Sequence, residues 1–179
     1  ILYNNLLQWK VSETRKPLVL NGARQVGKTW LLTEFGRREY KKTVFFSLDR
    51  NVQAKEVFEQ GGTIDYILRS LSALSGVDIT GGDTLLILDE IQDCPSALTA
   101  LKYFCEDAPE YHIIAAGSLL GVAVKRRKMT VPVGKVHVVR MYPISFKEYL
   151  RASDPKTWEY IEGITTIHHL PEIIFNKLR

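Results

Sequence analysis

Apolar residues along this chain cluster into short runs separated by stretches with helical spacing. Residues 18–20, 43–48, 84–88, 112–116 and 135–141 each read as a strand, with Leu85-Leu86-Ile87-Leu88 the cleanest. That interior is apolar throughout rather than alternating, which suits a sheet covered on both faces. Leu2, Leu6, Leu7 and Trp9 space roughly as one helical face, and residues 29–37 read as a helix with Trp30, Leu31, Leu32 and Phe35 on its inner side. Residues 52–75 predict a helix interrupted at Gly61-Gly62, and Gly81-Gly82-Asp83 predicts a turn. Pro95 fits the first turn of a helix reaching about Asp107. Strands that alternate with helices imply parallel pairing through right-handed crossovers, hence an α/β class. From about Ser145 the pattern turns helical, with Phe146, Tyr149 and Leu150 in helical spacing. That tail is either a lid against the sheet or the start of a second domain.

Composition narrows the class without changing it. The chain has 179 residues, 45% hydrophobic and 25% charged, which suits one compact domain with room for a small appendage. A net charge of +4 is a mild excess, compatible with phosphates or nucleic acid and equally with a slightly basic soluble protein. Cys94 and Cys105 lack metal-ligand spacing and read as reduced thiols, which points to a cytoplasmic location. No apolar run approaches the ~20 residues of a membrane span, so no membrane partner is expected. The opening Ile1-Leu2-Tyr3 does not read as a signal peptide, and the abrupt ends lead us to expect a longer natural protein. His112, His137, His168 and His169 form no ligand set with the cysteines, so no metal is expected beyond one carried with a nucleotide.

The chemistry concentrates in two places. Gly22-Ala23-Arg24-Gln25-Val26-Gly27-Lys28-Thr29 matches G-x-x-x-x-G-K-[ST] between a predicted strand and a predicted helix. The glycines let the backbone curl so that its N–H groups can meet a phosphate, and Lys28 supplies a charge to the β- and γ-phosphate oxygens. The Thr29 hydroxyl is a Mg²⁺ ligand in this reading, and the helix directs its positive end at the anion. Asp89 and Glu90 follow the buried run 84–88, where Asp89 orients Mg²⁺ through water and Glu90 polarises an attacking water as general base. The Asp-Glu pair favours ATP over GTP chemistry, and no Asn-Lys-x-Asp guanine-reading motif is present. Ser118 reads either as a residue beside the γ-phosphate or as an N-cap for residues 119–124. Gln92 and Asp93 either contact the water or cap the helix at Pro95, with capping favoured for Asp93. Arg126, Arg127 and Arg140 are candidates for the extra positive charge that phosphoryl transfer uses. We favour Arg140, at the end of the fifth strand. The run Lys125-Arg126-Arg127-Lys128 reads as a solvated basic loop or as a contact for nucleic acid or an acidic partner.

Residues 20–29, 88–92, 116–120, 131–135 and 142–150 together resemble a family of prokaryotic AAA-type P-loop ATPases. In that family the ATPase domain precedes a C-terminal domain related in fold to restriction endonucleases. The resemblance implies a three-layer P-loop NTPase of the additional-strand class, with a parallel sheet of order 5-1-4-3-2 and a helical C-terminal tail. Residues 1–150 would then be the ATPase domain, and 151–179 a helical tail or the start of a truncated C-terminal domain. It also implies that Asp89 and Glu90 are the Walker B pair and Ser118 a sensor-like residue. A second-sensor arginine in a C-terminal lid is not evident. The expected function is a Mg²⁺-dependent ATPase acting as motor or switch, with homo-oligomers and nucleic acid as candidate partners. The alternatives are a nucleotide-gated interaction module with little hydrolysis and a small-molecule kinase.

Overall fold

A computed structural model describes residues 2–118 and 132–163. The chain divides into two compact units, Ile1–Met141 and Tyr142–Arg179. In the first, β1 (Leu18–Gly22), β2 (Lys42–Ser47), β3 (Thr84–Asp89), β4 (His112–Gly117) and β5 (His137–Met141) form one parallel sheet. Its order is β2-β3-β4-β1-β5, the 5-1-4-3-2 arrangement read from the other edge. Asn21 pairs with both Gly117 and Arg140, and Leu88 pairs with Ala115. The carboxyl ends of β1, β3 and β4 therefore lie side by side, and ligands of open α/β sheets gather at such an edge.

Two apolar layers sandwich the sheet, because successive residues of a strand face opposite sides. Leu18, Leu20, Leu85, Ile87, Ile114 and Ala116 join α1 (Leu2–Val11) and α2 (Lys28–Glu39) through Leu6, Trp9, Leu31, Leu32 and Phe35. On the other face, Val19, Val44, Leu86 and Ile113 pack with α3 (Val52–Gln60), α4 (Ile64–Ser75) and α5 (Pro95–Asp107). Every residue of β3 and β4 is buried, which explains their uninterrupted apolar runs.

Local chemistry sets the helix ends. The Asn51 side chain accepts from Ala54 N at 2.8 Å to start α3, and Thr63 accepts from Tyr66 N at 3.2 Å to start α4. Gly76, at φ 68°, ends α4 in the left-handed conformation that glycine adopts without strain. In the second unit, α6 (Phe146–Ser153) opens with a reciprocal capping box between Ser145 and Glu148, and Asp154 caps α7 (Pro155–Glu162).

Three expectations change. Trp30 is not on the inner side of α2 but 71% exposed. At 100° per residue the buried Lys28, Leu31, Leu32, Phe35 and Gly36 define one face, and position 30 falls opposite it. Asp93 does not cap α5: it ends a 3₁₀ turn, Ile91–Asp93, and Cys94 takes the cap position without a side-chain bond. Lys135 precedes β5 rather than joining it, and pairs with Glu106 at 2.8 Å. Phe146, Tyr149 and Leu150 fall within α6, as their helical spacing predicts, with Leu150 buried and the other two exposed.

Candidate functional site

The loop begins at Gly22, where β1 lies close against β5. A Cβ on Gly22 would sit 2.5 Å from the Met141 carbonyl oxygen, so a side chain there would push the strands apart. Gln25 (φ 61°) and Gly27 (φ 92°) are left-handed, the alternation that turns successive backbone amides into an anion-binding concavity. Gly27 is the N-cap of α2 and supplies no side-chain cap, so the first amides of the helix lack the usual hydroxyl or carboxylate acceptor. The Met141 side chain borders this turn, its methyl 3.7 Å from where a Cβ on Gly27 would lie. Sequence reasoning missed that contact, which depends on the β1–β5 register and has no local signature.

Lys28 is only 6% exposed. Its Nζ donates to the Gly22 and Ala23 carbonyls at 3.1 and 2.7 Å, and among the described residues no carboxylate pairs with it. A buried ammonium held by neutral carbonyls is costly unless an anion completes its shell, so the loop fits a phosphate. The Thr29 hydroxyl donates to Asp89 Oδ2 at 2.7 Å across 60 positions of sequence. Asp89 is also 6% exposed, and its Oδ1 accepts from Glu90 N at 3.0 Å. This pair of hard oxygen donors beside a phosphate loop is the ligand chemistry that Mg²⁺ takes.

Glu90 lies just beyond β3 at φ 52° and ψ 45°, a left-handed conformation rarely held by a residue with a side chain. Such strain persists where surrounding structure enforces it and often marks functional positions. The buried Gln92 donates its amide to Glu90 Oε2, orienting the carboxylate. Ser118, 5% exposed, follows the last residue of β4 and so lies between the loop-bearing and acidic strands. Arg140 pairs with Asn21 beside the loop strand and is exposed. Its neighbours Val139 and Met141 pack with the α1–α2 layer, so strand alternation sends Arg140 to the opposite sheet face. Arg126, Arg127 and the helix for which Ser118 was an alternative cap lie outside the described residues.

Residues 14–150 match the family model described as AAA domain. The chain belongs to the AAA domain family. No curated protein matches this AAA domain. Among solved structures, Drosophila ORC bound to DNA superposes with a TM-score of 0.53 at 13% identity, covering 88% of this chain and 47% of that one. The Aeropyrum pernix ORC1 protein in complex with DNA gives 0.49 at 17% identity, covering 84% and 45%. Thermotoga maritima RuvB gives 0.46 at 16% identity, covering 88% and 47%. The AAA domain thus spans about half the length of these chains, and the Drosophila likeness is one of fold. Among the described residues, no helix is long and apolar enough to cross a membrane.

Proposed function

We propose that this AAA domain binds ATP with Mg²⁺ and hydrolyses it to ADP and phosphate, driving a conformational change. The observation that carries this reading is the buried Lys28 ammonium beside a Thr29–Asp89 hydrogen bond, with Glu90 next in the chain. The backbone of residues 22–29 receives the phosphates, and Lys28 exchanges its carbonyl partners for β- and γ-oxygens. Thr29 and Asp89 would hold Mg²⁺, which when bound neutralises charge on the phosphate chain. Glu90 accepts the proton of a water whose oxygen attacks the γ-phosphorus, and the bond to the β-γ bridging oxygen breaks. Ser118 contacts the γ-phosphate from between the two strands. Arg140 acts as the added cation, either within one chain or toward a neighbouring copy in a homo-oligomer. A C-terminal endonuclease-like domain, expected from the resemblance, would make nucleic acid the natural partner.

Glu90→Gln tests the mechanism. It keeps the hydrogen-bonding shape of the side chain and removes the base, so ATP affinity is retained while phosphate release slows by about 10²–10⁴-fold. Equal turnover in the variant and the parent would remove Glu90 from its role. Binding of ATP with no phosphate release from either protein would instead support the nucleotide-gated interaction module.

A further inference from the structure

Of the three tryptophans, Trp9 is buried, Trp158 is half-buried and Trp30 is 71% exposed. An indole left in water gives up the favourable burial that normally places tryptophan inside a fold or against a partner. Trp30 follows the phosphate loop directly, in the first turn of α2 and opposite the buried face of that helix. Helical side chains tilt toward the helix N-terminus, so this indole leans over the loop end of α2 rather than along its length.

The direction of a bound nucleotide follows from the acidic end of the site. Thr29 reaches Asp89, which places the terminal phosphate toward β3. A nucleotide laid this way would have its nucleoside on the side of the loop away from β3, and Trp30 is the exposed ring in the first turn of the helix that the loop opens. Among the described residues no ring or cation stacks on this indole. Arg37 and Arg38, further along α2, are both engaged by Glu34. Among the described residues, the indole face is therefore left for a planar ligand.

We infer that Trp30 is the stacking platform for the base of the bound nucleotide, so that the site holds a nucleoside triphosphate more tightly than a bare polyphosphate. The inference rests on the nucleotide-binding reading above and adds to it the residue that recognises the base. Stacking discriminates by ring area, so purine nucleotides bind more tightly than pyrimidine nucleotides.

The test compares Mg²⁺-ATP with Mg²⁺-tripolyphosphate by equilibrium binding to the full chain, as the parent, Trp30→Ala and Trp30→Phe. The expected result is a roughly ten-fold loss of ATP affinity in Trp30→Ala with tripolyphosphate unchanged, and near-parental ATP affinity in Trp30→Phe. Equal loss for both ligands, or loss for neither, would overturn the stacking role. A parent chain that binds neither ligand would overturn the nucleotide-binding reading itself, a separate outcome. Because Trp30 is exposed, thermal midpoints of the variants are expected to stay close to that of the parent.

Discussion

Lys28 touches two backbone carbonyls of its own loop, and this doubles its role. It braces the turn from inside, and it carries the positive charge that a phosphate would meet. Lys28→Ala is expected to lower ATP affinity on the order of 100-fold in isothermal titration, as loss of a charge-assisted hydrogen bond implies. Lys28→Arg is not expected to rescue binding, because a planar guanidinium cannot occupy a space shaped for a compact ammonium. Unchanged affinity in Lys28→Ala would mean that phosphates do not enter this loop. Glu90 shows a different economy at the same scale. Its backbone N–H donates to the carboxylate of Asp89 and its own carboxylate accepts from the amide of Gln92, so its geometry is a property of three residues.

At the scale of elements, the site depends on how closely β5 lies beside β1. Gly22 is where the strand becomes the loop, and its missing Cβ is what allows the Met141 carbonyl to come near. Gly22→Ala is expected to destabilise the domain by about 2 kcal/mol, the usual range for forced overpacking. The companion effect is weaker ATP binding, since displacement of β1 moves the first residue of the loop. Chemical denaturation and ATP titration of the same variant check both, and an unaltered midpoint with unaltered affinity would show that the two strands can part freely. The helices are started by residues that can be recognised locally: Asn51 for α3, Thr63 for α4 and Ser145 with Glu148 for α6.

Across the whole molecule, a polar cluster at the far end of the sheet ties α1, α2 and β4 together. Tyr40 Oη lies 2.6 Å from His112 Nδ1, and Trp9 meets the same imidazole edge-on at 5.9 Å. Burial, reinforced by Arg15 and Lys10, pushes the His112 pKa down from the usual 6.5 to about 4. The folded chain therefore holds this histidine neutral while the unfolded chain protonates it at higher pH. That contribution is fully present above about pH 6.5, is lost progressively as pH falls toward 4, and amounts to no more than about 3 kcal/mol. Thermal midpoints measured from pH 7 to pH 4 are expected to fall over this window. His112→Gln keeps a partner for Tyr40 without titrating and should flatten the dependence; an equally steep fall in that variant would assign it to other groups.

Most of the architecture was legible because helices, strands and the phosphate loop are written in spacings of a few residues. The apolar runs of β3 and β4, the break at Gly61-Gly62, Pro95 opening α5 and the loop 22–29 are all of this kind. Strand order came from resemblance to a family, since periodicity says which segments form strands but not which neighbours they choose. Trp30 marks the limit within a single helix: a contiguous Trp-Leu-Leu run does not say which member faces the core until the other buried positions are known. The Thr29–Asp89 bond, the Met141 methyl beside Gly27 and the face from which Arg140 emerges required the folded sheet. Each depends on the register between strands distant in the chain, and that register is selected by burying both faces of the sheet at once rather than by any local preference.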